Sequence, residues 1–269
     1  MSSLQNAKRI VLKVGSSTLT YSGGGINLRR VEKLVEVLSD LKNQGKEIVL
    51  VTSGAVSVGM GKLGKKERPS ETREKQALAA IGQCELMDFY SGLFSKFNHS
   101  VAQLLLTKDV VDNEVLRRNA ENTFETLFEF GVIPIVNEND SISAEQIEFG
   151  DNDTLSAIVA ELVGADLLII LSDIDGLYTA DPHKAADAEL IPRVEAITPG
   201  IEALAGGAYS GLATGGMETK LHAARIAMEA GMDMVIANGE TPLVLYDIAE
   251  GKSVGTRFIG KNRKAGGRL

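Results

Sequence analysis

The sequence contains one cysteine, Cys84, and therefore no disulfide framework. Cys84 falls in a helical apolar pattern and is expected to be a packing residue. The three histidines, His99, His183 and His222, share no metal-ligand spacing with one another or with Cys84. No direct metal ligand is assigned from the sequence. Apolar runs of about 18 residues, enough to cross a membrane, are missing. The N-terminus, MSSLQNAKRIVLKVG, lacks the apolar region of a signal peptide. A soluble, cytoplasmic protein without a membrane partner is expected. The sequons at Asn98, Asn139 and Asn152 are then chance matches, because glycosylation needs a secretory route. Positive charge is also short: 28 Lys and Arg stand against 36 Asp and Glu, for a net charge of -8. That argues against a broad nucleic-acid surface. Any anionic ligand must be met by local cations and backbone N–H groups.

What is present is ordinary globular composition: 269 residues, 44% hydrophobic and 24% charged. Repeats, low-complexity tracts and a clear linker are not evident. One domain over residues 1–260 is expected, with a basic tail at 261–269 that frays. Glycines cluster at predicted strand ends.

The stretch from Gly131 to Ser156, GVIPIVNENDSISAEQIEFGDNDTLS, organises the reading. Val132 to Val136 looks like a buried strand. It ends abruptly in Asn137, Glu138, Asn139 and Asp140. Then come Gly150-Asp151-Asn152-Asp153 and an apolar-periodic helix from Thr154 to Val163. Short carboxylates and amides thus collect between a strand's C-terminal end and a helix start, where open α/β sheets bind ligands. Asp and Asn are equally the common helix caps, and Asp153 alone could serve as one.

Around this stretch, strands are expected at Arg9–Val14, Glu47–Val51, Val101–Leu106, Asp166–Leu171 and Met234–Ala237. Helices are expected at Leu28–Leu41, Glu71–Phe97 with a break near Gly82 or Gly92, Arg117–Phe130, and Thr214 to about Ala230. The segment Gly251–Phe258 is expected to return to the sheet. Alternating strands and helices, no Trp and few aromatics read as a parallel sheet covered on both faces. Lys13 interrupts the first strand's apolar run. It either meets a partner or anionic ligand, or snorkels from an edge strand. Gly59-Met60-Gly61-Lys62-Leu63-Gly64 fits a dinucleotide fingerprint but opens onto the polar stretch KKERPSETREK. Gly59 to Lys66 nearly fits a P-loop, with Lys66 where Ser or Thr is needed. Both are set aside. Ser172-Asp173 ends a strand, and the loop Ile174–Pro182 is either a rigid frame for a nucleotide or a plain turn. Gly215 and Gly216 offer bare N–H groups at a helix start, a natural phosphate site. Lys220 in that first turn opposes the helix dipole by about 0.3–1 kcal/mol. It is either a tolerated exposed lysine or a phosphate ligand.

Five polar clusters, at Lys13–Ser17, Thr52–Ala55, Asn137–Asp140 with Gly150–Asp153, Ser172–Asp173 and Thr214–Lys220, fall on one edge of the expected sheet. Together they suggest one cleft. Two lysines with Asp153 between them suit phosphoryl transfer, which needs mainly positioning and positive charge.

The motifs VLKVGSS, TSGA, PIVNEND, GDND and TGGMETK closely resemble the glutamate 5-kinase family of the amino acid kinase superfamily. The resemblance runs from about Lys8 to Phe258. The lysine-glycine opening is shared widely in the superfamily, whereas TSGA, NEND and GDND in this order are much more specific. The resemblance implies an α/β/α sandwich around a central, mainly parallel β-sheet. It implies phosphorylation of L-glutamate by ATP to L-glutamyl 5-phosphate, the first step of proline synthesis, with Mg²⁺. Lys13 and Lys220 would stabilise the moving phosphoryl group and Asp153 would organise them. Ser53, Asp140 and Asn152 would bind glutamate. Ser172, Asp173 and the segment Thr214, Gly215, Gly216, Met217, Glu218, Thr219 and Lys220 would bind ATP. Such proteins are usually homo-oligomers (dimers or tetramers) and are often inhibited by proline. Many bacterial relatives carry a C-terminal PUA domain. This chain is expected to have the kinase domain alone, so properties depending on that domain are in doubt. The rival readings are a kinase of N-acetylglutamate, aspartate or UMP, an amino-acid sensor on the same fold, and a Rossmann dehydrogenase.

Overall fold

The computed structural model describes residues 4–21, 25–107, 109–142, 152–182, 184, 185, 187–208 and 216–261. Six strands form the parallel heart of the sheet: β1 (Arg9–Val14), β2 (Glu47–Val51), β3 (Val101–Leu106), β4 (Ile133–Glu138), β5 (Leu167–Ser172) and β7 (Asp233–Asn238). β6 (Arg193–Val194) and β8 (Thr256–Phe258) close one side, β8 pairing antiparallel with β7. The order is β3-β4-β2-β1-β5-β7-β8-β6. The chain builds outward from β1 on one side, then returns to its other side with β5. The C-terminal ends of β1, β2 and β5 therefore flank a topological switch point.

Helices cover both faces. The longer ones are α2 (Leu28–Asn43), α4 (Thr72–Ser95), α6 (Glu114–Glu129), α7 (Asn152–Leu162) and α9 (Met217–Glu229). Shorter ones are α1 (Ser16–Leu19), α3 (Ala55–Lys62), α5 (Asp109–Asp112), α8 (Pro199–Ala208) and α10 (Val244–Ala249). Strand side chains alternate between two hydrophobic clusters, as the period of two requires. Ile10, Leu12 and Val14 join the cluster under α2, α4 and α10. Val11 joins the cluster under α6, α7 and α9. The same alternation puts Lys13 on the face of α7 and α9. The expected α/β/α sandwich with a mainly parallel sheet is what forms.

β1 is central, with Lys13 paired in register to Val51 on one side and Ile170 on the other. That removes the edge-strand reading of Lys13. At the opposite end of β1, buried Arg9 pairs with Glu47 at 2.7 Å and with Glu125, and stacks 4.1 Å over the Phe128 ring.

Several expectations change. The long helix is unbroken at Gly82 and Gly92. Gly82 is instead a contact point, because a Cβ there would lie 1.8 Å from the Ala55 carbonyl oxygen. Its counterpart is Gly59, where a Cβ would lie 2.1 Å from the Leu78 carbonyl oxygen. Gly59, the first glycine of the dinucleotide-like run, thus lets α3 cross α4 backbone to backbone. Cys84 is exposed, not packed, since the buried face of α4 runs through its neighbour Gln83. The loop after β5 is held in place: Leu177 N donates to Thr256 Oγ1 at 2.8 Å, and that hydroxyl lies 2.6 Å from the Ile191 carbonyl oxygen. Among the described residues, no helix is long and apolar enough to cross a membrane. Residues 262–269 of the expected tail lie outside the described residues.

Candidate active site

At the switch point a polar cleft of about 340 Å³ opens. β1 delivers Lys13 to it from below, α7 delivers Asp153, and α9 delivers Lys220. Lys13 Nζ lies 2.6 Å from Asp153 Oδ1, and Lys220 Nζ lies 3.0 Å from Asp153 Oδ2. All three are buried, at 4%, 0% and 5% exposure. The Thr219 hydroxyl lies 3.0 Å from Asp153 Oδ2 and 2.9 Å from the Gly216 carbonyl oxygen. Asp153 is therefore more than a helix cap: its carboxylate bridges two ammonium groups brought from distant parts of the chain.

Burial pushes the Asp153 carboxyl up, but the Lys13 and Lys220 ammonium groups outweigh it and hold it at about 2. A carboxyl depressed in the folded state stabilises the fold above its unfolded value near 3.8, and that contribution is lost as pH falls through about 2. Urea unfolding measured from about pH 4 to about pH 2 should therefore show wild-type protein losing about 2 kcal/mol more than Asp153→Asn. Parallel losses in the two proteins would contradict the ion triad. Two ammonium groups thus converge on one carboxylate at the floor of the cleft.

One end of the cleft is lined by Ser53, Gly54, Arg68, Glu138, Asp140 and Asn152. Gly54 has φ +93°, a conformation that admits glycine, and it opens α3 with the unpaired N–H groups of that helix facing the cleft. Asn152 Nδ2 donates to the Thr52 carbonyl oxygen at 2.6 Å, and lies 2.9 Å from both Ser53 Oγ and Asn137 Oδ1. Burial raises Asp140 from its ordinary value, and the Arg68 guanidinium opposes that shift. The other end is lined by Leu171, Ser172 and Asp173, with Ser172 Oγ donating to Asp173 Oδ1 at 3.1 Å.

The fold thus brings Lys13, Ser53, Asp140, Asn152, Ser172, Asp173 and Lys220 to one cleft, with Asp153 beneath it. Met217 packs into the core instead, and Glu218 is exposed. Thr214 and Gly215 lie outside the described residues. Sequence reasoning missed Arg68, which sits in a polar run between helices, and Gln83. The only available signal for Gln83 was an amide at the centre of an apolar helical stripe.

The general model of the amino acid kinase family matches residues 8–238. The chain belongs to the amino acid kinase family. Within it, a glutamate 5-kinase from Clostridium perfringens is 56% identical, covering 96% of this chain and 97% of that relative. A glutamate 5-kinase from Listeria innocua is 53% identical over 97% of this chain and 96% of its own length. Among solved structures of this family's fold, the chain superposes on UMP kinase from Ureaplasma parvum with a TM-score of 0.66 at 15% identity, covering 94% of this chain and 98% of that one. Carbamate kinase from Giardia lamblia, solved with AMP-PNP, gives a TM-score of 0.65 at 18% identity, covering 96% and 100%. At those identities the two structures speak to the amino acid kinase fold alone.

Proposed function

We propose that this protein transfers the γ-phosphoryl group of ATP to the γ-carboxylate of L-glutamate, giving L-glutamyl 5-phosphate and ADP, the opening reaction of proline synthesis. The observation that carries the chemistry is the buried Lys13–Asp153–Lys220 triad, two ammonium groups held on one carboxylate at the cleft. The relatives that supply the substrate are more than half identical across nearly the whole chain.

In this reading the triad sits under the phosphoryl group in flight. Lys13 and Lys220 draw charge from the equatorial oxygens, and Asp153 holds both ammonium groups in place before substrate arrives. A carboxylate oxygen of glutamate attacks phosphorus as the bond to the β–γ bridging oxygen breaks, and that oxygen leaves with ADP. The γ-carboxylate is ionised at neutral pH, so no strong general base is needed. Ser172 and Asp173 frame the nucleotide end. Ser53, Asp140 and Asn152 hold glutamate, with Asp140 facing the α-ammonium and Arg68 placed for the α-carboxylate. A free ammonium suits Asp140, whereas an acetylated amine does not. Among the described residues no three carboxylate, imidazole or thiolate groups converge, and Asp153 is occupied by its lysines. That donor set fits Mg²⁺ held mainly by nucleotide phosphates and water, with Asp173 as the nearby carboxylate. Bound there, the ion would supply charge neutralisation along the phosphates.

The test is ATP- and Mg²⁺-dependent turnover with hydroxylamine as acyl-phosphate trap, comparing L-glutamate, aspartate, N-acetylglutamate and UMP, the last followed by ADP release. Hydroxamate with L-glutamate alone is expected, and turnover only with another acceptor would overturn the substrate. Asp140→Ala should raise the KM for glutamate about 10–100-fold, the worth of a charged hydrogen bond, with the KM for ATP little changed. An unmoved glutamate KM would remove Asp140 from the substrate site.

A further inference from the structure

Behind the glutamate end of the cleft lies a chain of buried amides whose polarity can be read. Amide oxygen and nitrogen are told apart by their partners, and two backbone groups settle this case. The Thr52 carbonyl oxygen can only accept, so the Asn152 atom 2.6 Å away is Nδ2. The Glu138 N–H can only donate, so the Asn137 atom 2.9 Å away is Oδ1. Asn137 Oδ1 then also accepts from Asn152 Nδ2 at 2.9 Å. Asn137 is left with Nδ2 to dispose of in a dry place, being buried itself. It donates to Gln83 Oε1 at 2.9 Å. Gln83 is 8% exposed and sits on α4, outside the cleft wall. Its own Nε2 is buried and has no partner among the described residues.

The consequence falls on Asn152. Its amide nitrogen is spent on the Thr52 carbonyl and Asn137 Oδ1 behind the cleft, with Ser53 Oγ of the cleft wall also within 2.9 Å. Its oxygen is the polar atom left to face the ligand. An oxygen at that place accepts, so it suits a donor such as an ammonium group. We propose that Gln83 is a positioning residue, holding Asn137 and through it Asn152 so that the Asn152 oxygen is turned to the α-ammonium of the substrate. The proposal rests on the reading of that substrate as L-glutamate. Gln83 touches no reacting atom. Its effect is discrimination for an amine-bearing acceptor, because without the Gln83 acceptor Asn137 Nδ2 is left buried with no partner, and the shift of Asn137 that relieves this cost loosens its hold on Asn152.

The experiment compares L-glutamate with glutarate, which lacks the ammonium group and keeps both carboxylates. Wild-type turnover is measured first: none with L-glutamate overturns the reading of the reaction, and with it the ammonium this relay serves. Given turnover, Gln83→Met removes the acceptor at nearly constant volume. Its preference for glutamate over glutarate in kcat/KM should fall at least tenfold, through the glutamate KM, with the ATP KM within about twofold. Gln83→Glu keeps an acceptor for Asn137 Nδ2 and gives up the donor that has no partner, at the cost of a buried carboxyl group, so it should recover most of the preference. Thermal unfolding of each variant separates misfolding from repositioning. An unchanged preference in folded Q83M overturns the proposal, as does an equal loss for both acceptors. Q83E carries the test alone should Q83M not fold: loss of preference in the folded Q83E protein overturns the relay, and retention supports it.

Discussion

Lys220→Ala is expected to lower kcat by about 10²–10³-fold, the usual loss when one preorganised charge is taken from a transition state, while the protein stays folded. Both halves of that expectation follow from the triad. Lys220 lies in the first turn of α9, where a cation works against the helix dipole. Its removal therefore relieves a small local cost. Asp153 is not left alone, because Lys13 remains 2.6 Å from its other oxygen. What disappears is one of the two cations facing the developing charge. Circular dichroism and a steady-state hydroxamate assay at saturating ATP and glutamate test this together. Near-normal kcat in a folded variant would remove Lys220 from the chemistry.

The second large effect concerns stability. Gly82→Ala should cost about 3 kcal/mol or more, at the upper end of overpacking penalties. The added Cβ would meet backbone that no rotamer change can clear: the Ala55 carbonyl oxygen at 1.8 Å and the Gly59 nitrogen at 2.6 Å. α3 would have to lift off α4, and α3 begins at the cleft. Gly92, in the same helix, has nothing within 4 Å of the corresponding position. Gly92→Ala should instead stabilise by about 0.5–1 kcal/mol through helix propensity and unfolded-chain entropy. Urea midpoints of the two variants make a matched pair. Equal small effects would refute the backbone contact between α3 and α4.

The same two glycines show where sequence reasoning stops. Strands were legible because five apolar runs are buried along nearly their whole length and carry that burial in their composition, and the edge strand β3 is apolar at five of its six positions. Arg9–Val14, Glu47–Val51 and Val101–Leu106 were placed to the residue. α3 was not, because Gly59 and Gly61 read as punctuation, when both lie within the helix and Gly59 is its point of close crossing with α4. In isolation, Gly82 in α4 looked like a break for the same reason. α8 and α10 drew no expectation at all. Lys13 and Asp153 each admitted two readings, since the partner that decides between them is far away in the chain. Only the central position of β1 and the approach of α7 and α9 bring those partners into contact. Gln83 is the extreme case. Its significance lies in one acceptor atom aimed at Asn137, which no periodicity reports.

The place of β1 in the sheet has a further consequence during synthesis. β2 follows β1 soon, but the other edge of β1 waits for β5, which starts at Leu167. At about 5–20 residues per second on the ribosome, roughly 8–30 s pass with the backbone of Ile10 to Val14 open on that side. An unpaired apolar edge is a template for a strand from another nascent chain. Crowded polysomes therefore present this protein with its greatest hazard of mispairing before β5 has been made. The position that gives β1 its complete cover in the finished molecule also makes it the interior strand that waits longest for its second neighbour.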